Sequence, residues 1–526
     1  MQRIAHGFHA PHTASALSGN NNNLASPQAA FLAPQVAPGT VPFSLMFPGL
    51  PDDARLTPSD KTLSDLVDLG ATMQVAKNDT QFSSTPAGYT YFAQFLDHDI
   101  AFSDVQKDRG QTDSELLANK NLSLWSEEEI AARVRNKRTI PLQLECVYGD
   151  VAPGQPPPRD CHKFVLGKVC PHHDRRHDKD QDNDLVRSDH SRNPKQDRVA
   201  LINDPRNDSN LIVSQIHVAF LRAHNAIADK MKCSFQSARQ ILLKHYQWMV
   251  FHDILPRFVR EEEITAALER PLYDPSSGVP LEFSVAAFRF GHCLIRQDYY
   301  VNDSFQGEPL EQLFMLTVLS NNGQRATPGD GCLNLPGNKI IAWQKFLGLE
   351  IRNNARRIRP QMVDPLFTLL NEANVAVPGE KRLAVQDLKR GYMLGIPTGQ
   401  ALAKIMEVEP LTPDDLKAVA VNQEQLRVLE NSEFLEKTPL WFYILAEAAK
   451  QNAKAEKPNA TDEDKRDKDK LGPVGGRIVA EAITGFIRQT PGSFLNTGWK
   501  PSVFCFHPGQ FFISDLLRLA GVLEPL

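Results

Sequence analysis

Two consecutive stretches of this chain repeat apolar side chains at steps of three and four. Ile212, Ile216, Phe220, Ala223 and Ile227 mark the first. Ile241, Leu242, Tyr246, Met249 and Ile254 mark the second, and Pro256 is expected to close it. Steps of three and four are the period of a helix with one buried face. The spacing predicts helices over 212–232 and 234–255, with similar patterns at 281–295, 308–320, 361–374, 398–408, 438–453, 476–489 and 511–521. Period-two strands and hairpin turns are scarce. The expected fold is therefore mainly α, a single large helical domain with long loops and little β-structure.

Residues 1–60 are rich in Asn, Ala, Pro and Gly. They read as an irregular arm over a domain spanning 61–526, anchored by Phe43, Leu45, Met46 and Phe47. Residues 150–198 hold too many prolines and charges to form a core. Their His172, His173 and His177 read as part of a solvated loop rather than a metal site. Residues 455–470 form a charged surface loop. A formal net charge of -5 over 526 residues gives no electrostatic reason to expect nucleic acid. No apolar run approaches the ~20 residues of a membrane-spanning helix, and the first twenty residues lack the apolar core of a secretory signal. A cytoplasmic location, or export by a non-classical route, is the expectation. Seven widely spread cysteines do not make a disulfide framework and read mostly as reduced, buried thiols.

Three segments carry polar groups in apolar surroundings. In Tyr91–Ile100, a helix would place Gln94, Asp97 and His98 on one face and Asp99 on the next, between Phe92, Phe95, Leu96 and Ile100. Buried without partners, such groups are costly. That pattern suits either a haem pocket or a non-haem metal site on Asp97, His98 and Asp99. In Ala286–Ile295, His292 follows Gly291, and Arg289 stands one turn back. A glycine there lets a flat group approach the backbone, and an arginine can neutralise a carboxylate. In Ile202–Leu211, Arg206 lies in a turn-rich run, with Asp208, Ser209 or Asn210 as a helix cap.

Together QFLDHD (94–99), NDPRND (203–208) leading into SQIHVAFLRAHN (214–225), and AFRFGH (287–292) resemble the animal haem peroxidase superfamily, its bacterial branch in particular. Weaker matches at 146–149, 163–167, 388–403 and 471–485 extend the resemblance over roughly residues 60–525. The resemblance implies a haem b peroxidase that reduces hydrogen peroxide through a ferryl intermediate. Its small electron donor would be a phenol, an aromatic amine, iodide or thiocyanate. It implies His98 as the distal acid–base, Arg206 as the distal cation, Gln94 in the distal pocket, and His292 as the proximal iron ligand. It further implies Asp97 as a carboxylate esterified to the haem, Arg289 against a haem propionate, and Asp387 in place of the asparagine that usually bonds the proximal histidine. Asp99, Thr139 and Glu145 correspond to calcium ligands, although Gln143 replaces a usual Asp. Ser209 and Asn210 stand where further covalent links form in relatives, so at most one haem ester and no chloride oxidation are expected. The alternatives are a fatty-acid dioxygenase of the cyclooxygenase or α-dioxygenase kind, and a non-catalytic scaffold. The first would need a tyrosine where Arg289 stands. The second would have no use for His98, Arg206 and His292 together.

Overall fold

The computed structural model describes residues 41–76, 79–106, 113–149, 159–160, 162–170, 182–188, 199–317, 335–350, 353–367 and 382–524. Residues 1–40 of the expected arm and the His172–His177 cluster lie outside them. Helices dominate the described chain. Among them are α1 (Asp60–Ala71), α2 (Ala87–Ile100), α3 (Leu211–Met231), α4 (Phe235–Met249), α5 (Leu383–Met393), α6 (Gly399–Ile405), α7 (Leu440–Ala455) and α8 (Pro473–Gln489). The β-structure among the described residues is four two-stranded pieces and some isolated bridges. One piece pairs Phe43–Ser44 in parallel with Val279–Pro280, tying the end of the N-terminal arm to the core. Phe43, Leu45 and Met46 are buried there, whereas Phe47 is only partly so.

α2 and α3 cross at the centre. Every residue of α2 except Gln94 is buried, as expected of a helix that is enclosed on all sides. Phe95 stacks flat on Phe220 of α3, with centroids 4.5 Å apart and planes within 4°. α3 begins at Asn210, whose side chain accepts a hydrogen bond from Val213 N at 3.0 Å and so caps an otherwise unsatisfied amide. Of the three expected caps, Asn210 takes the role.

Several boundaries differ from expectation. Pro256 does not end the second helix. α4 passes into a π-turn at Val250–Ile254, and Pro256 sits in the first turn of Leu255–Phe258, where a missing amide hydrogen is tolerated. The stretch 281–295 is not one helix. It breaks at Ala286 (φ -133°, ψ -70°) into Leu281–Val285, a 3-10 turn Ala287–Phe290, and Gly291–Leu294. The helix expected at 308–320 spans Leu310–Met315, and of 361–374 only Asp364–Phe367 is described as helix. The charged loop at 455–470 includes a short helix, Asp462–Arg466, opened by a Thr461–Asp464 capping box. Cys146, Cys233, Cys293 and Cys505 are free thiols, but Cys170 is disulfide-bonded.

Candidate active site

An open cavity of about 520 Å³ lies between α2 and the broken segment at 287–294. Thr90, Tyr91, Gln94 and Asp97 line one wall, and Phe288, Gly291 and His292 line the other. A Cβ built on Gly291 meets nothing within 4 Å, so open space covers the residue preceding His292.

His292 is oriented from behind. Its Nδ1 lies 2.7 Å from Asp387 Oδ2 on α5, in a setting where both residues are buried. With Nδ1 occupied, Nε2 is the ring nitrogen that can reach a metal in the cavity. Asp387 also takes Arg289 Nη1 at 2.5 Å, with Arg390 at 3.7 Å. Burial opposes ionisation of Asp387. Arg289 and His292 outweigh it and hold the carboxyl at about 2. Arg289 is thus engaged by Asp387 and the Ser284 carbonyl (3.2 Å) and does not line the cavity. The resemblance implies a haem propionate as its partner; in this structure the buried carboxylate of Asp387, nearly one hundred residues later in the chain, is bound to it.

On the other wall, Gln94 and Asp97 reach the cavity, while His98 and Arg206 stand outside its lining. His98 is 1% exposed, and its Nδ1 lies 2.8 Å from Asn207 Oδ1. Asn207 Nδ2 lies 3.0 Å from His217 Nδ1. Burial pushes the His217 imidazole down to about 4, against the opposing pull of Asp204 and Asp208, so it is neutral near pH 7. A neutral His217 can accept from the Asn207 amide. That leaves the Asn207 oxygen for His98 Nδ1–H and the lone pair of His98 on Nε2.

Arg206 is locked by four acceptors. Its Nε donates to Asp204 Oδ1 at 3.0 Å, and its Nη2 donates to the carbonyls of His98 (3.0 Å) and Ala101 (2.7 Å) and to Asp204 Oδ2 (2.7 Å). The guanidinium lies 4.4 Å from the Phe102 ring centroid. Its buried Nη1 has no hydrogen-bond partner among the described residues. Burial opposes the charge on Asp204, but Arg206 and Arg138 outweigh it and keep that carboxyl well below its ordinary range.

Asp204, Asn207 and His217 lie within the sequence motifs without a role implied by them; their only signal is the unusual density of hydrogen-bonding side chains in NDPRND. Tyr91 also lines the cavity, with its ring 5.7 Å from Tyr299.

A haem fits these residues. The cavity is open over Gly291 and presents an oriented imidazole opposite Gln94 and Asp97. Calcium fits less well. Asp99 accepts from Leu144 N (2.9 Å) and Cys146 N (3.3 Å), Glu145 is taken by the Thr139 amide (3.0 Å) and hydroxyl, and Gln143 turns to Thr490 Oγ1 (2.8 Å). Calcium needs six to eight oxygens, and these donors are already committed to protein hydrogens.

Among solved structures, peroxidase A from Dictyostelium discoideum superposes with a TM-score of 0.53 at 14% identity, covering 93% of this chain and 94% of that one. A fatty acid α-dioxygenase from Arabidopsis thaliana gives a TM-score of 0.50 at 12% identity, over 87% of this chain and 74% of that one. At such identities the likeness is one of fold. In sequence, 116 residues are 29% identical to a dual oxidase of Drosophila melanogaster, 20% of this chain and 7% of that protein. A further 124-residue alignment is 30% identical to a peroxidase-like protein of Margaritifera margaritifera, 20% of this chain and 15% of that protein. The aligned stretches therefore span only a small part of these relatives. The animal haem peroxidase family model matches residues 135–418. That match takes in more than half of the 526 residues, and the chain belongs to the animal haem peroxidase family.

Proposed function

We propose that this protein is a haem peroxidase that reduces hydrogen peroxide while oxidising a small donor such as a phenol, an aromatic amine, iodide or thiocyanate. The observation that carries the reading is His292, held at Nδ1 by Asp387 at 2.7 Å and facing Gln94 and Asp97 across one cavity. His292 would hold a haem b through Nε2, and Asp97 would form a single ester with it. The haem supplies the redox chemistry. The chain's own residues handle the proton and the charge. His98, which stands behind the cavity lining next to Asp97 on α2 with Nδ1 tied to Asn207, would take up the peroxide proton at Nε2 and return it to the leaving oxygen. Arg206, immobilised by Asp204 and two carbonyls, stabilises the negative charge that develops as the O–O bond breaks. Gln94 faces the space where peroxide enters.

The deciding experiment mixes haem-loaded protein with one equivalent of hydrogen peroxide and follows the Soret band, beside His98→Ala. A rapid shift in wild type, slowed roughly a hundred- to ten-thousand-fold in the variant, is expected. A Soret band that ignores peroxide would overturn the reading.

The fatty-acid dioxygenase reading has one observation in its favour, since Tyr91 lines the cavity. Against it, Arg289 occupies the position three residues before His292 and is spent on Asp387. Oxygen uptake with a long-chain fatty acid, abolished by Tyr91→Phe, would restore that reading.

A further inference from the structure

Arg138 is fully buried, yet the sequence offers no reason to notice it. It lies two residues beyond the strand Val134–Asn136, in the irregular stretch that leads to Glu145. Its Nε and Nη2 both donate to the His98 carbonyl, at 3.0 and 2.8 Å. Nη2 also pairs with the Asp204 carboxylate. Its own amide donates to Asn136 Oδ1 at 3.1 Å, and its carbonyl accepts from Val41 N at 3.0 Å. One residue therefore ties the end of α2, the turn before α3 and the loop carrying Thr139 into a single unit.

This is the junction where the family resemblance would set a metal, through Asp99, Thr139 and Glu145. We infer that this chain dispenses with the divalent cation, and that the Arg138 guanidinium provides the cross-link and the positive charge in its place. The hydrogen bonds argue for this first. Both Asp99 oxygens accept backbone amides, both Glu145 oxygens accept from Thr139, and the Gln143 amide is turned to Thr490. A cation would have to displace or share all of them. Charge argues the same way. Arg138 and Arg206 already oppose Asp99, Asp204 and Glu145, all of them buried. The residual formal charge is a single negative one, and a divalent ion would turn it into a single positive one inside the protein, where uncompensated charge is costly. Geometry adds a third reason. A guanidinium donates along fixed directions, and two of its donors converge on one carbonyl, which a lysine cannot reproduce.

The test uses the full haem-loaded chain and neither of its readouts depends on peroxide turnover. Metal content is measured after dialysis, and thermal unfolding is followed with calcium chloride and with EGTA. The expected result is well under one calcium per chain and the same midpoint in both solutions. About one calcium retained per chain, or a midpoint raised by calcium and lowered by EGTA, would overturn the inference. Arg138→Gln should lower the midpoint by roughly 5 °C, and Arg138→Lys should fall between the variant and wild type. An unchanged midpoint in Arg138→Gln would also overturn it. If that variant does not fold, the metal content and chelator response of the wild type still decide.

Discussion

Asp387 shows how one side chain can serve two neighbours. It fixes the ring of His292 and neutralises Arg289 in the same buried pocket. Its negative charge makes the imidazole a stronger donor, which favours the more oxidised state of a bound iron. Asp387→Asn should therefore raise the ferric–ferrous potential of the haem-loaded protein in a potentiometric titration; an unchanged or lower value would contradict this role. The same substitution strips Arg289 of its carboxylate, and urea denaturation should show a loss of about 3 kcal/mol. At this scale much of the site was legible. Gln94, Asp97 and His292 were singled out because polar groups among Phe92, Phe95, Leu96 and Phe290 need a reason to be there. The bond between His292 and Asp387 could be read only through the family resemblance, and that Arg289 shares the same carboxylate could not be read at all, because no local pattern encodes a meeting 95 or more positions apart.

Among the elements, α6 and α7 touch where a glycine permits it. A Cβ on Gly399 would lie 1.9 Å from Tyr443 Cγ. The Tyr443 hydroxyl accepts a hydrogen bond from Leu411 N at 2.9 Å, so the ring has little freedom to retreat. Gly399→Ala should cost about 3 kcal/mol, seen as a lowered unfolding midpoint. A smaller effect is expected at the start of α3. Asn210→Ala removes the cap on Val213 N and a 3.3 Å contact to Gln94 Oε1, for a loss of about 1 kcal/mol. Helices such as α3 were readable because period and cap agree. The segment 281–295 misled because its apolar spacing is helical throughout. The turn at Ala286 accompanies a bond from Arg289 back to the Ser284 carbonyl and out to Asp387, so tertiary pairing overrides the local preference.

At the scale of the molecule, the N-terminal arm is fastened by a buried acid. Glu282 Oε2 accepts Met46 N at 2.7 Å, next to the parallel pairing of Phe43–Ser44 with Val279–Pro280. Burial pushes the Glu282 carboxyl up to about 7 from 4.5, despite the opposing amide bonds. The folded protein thus holds this proton more tightly than the unfolded chain. Its stabilising contribution is complete below pH 4.5 and is lost as pH rises to about 7. Relative to wild type, Glu282→Gln should gain stability across that window and then plateau, with a ceiling of about 3 kcal/mol. Denaturant midpoints measured between pH 4 and 8 would show this, and a constant difference would refute it. The buried imidazoles of His217 and His224, each pushed down to about 4 chiefly by burial, run the other way and weaken the fold as pH falls below 6.5. The helical architecture could be read from period alone. The short strand pairs could not, because partners such as Phe43 and Val279 are joined only by the finished fold. The two walls of the cavity share that dependence. His98 meets Asn207 across 109 residues and His292 meets Asp387 across 95. Such distant closures come late when a chain folds. Cofactor capture is then a checkpoint on assembly, and in a refolding experiment the Soret band should emerge with the slowest phase.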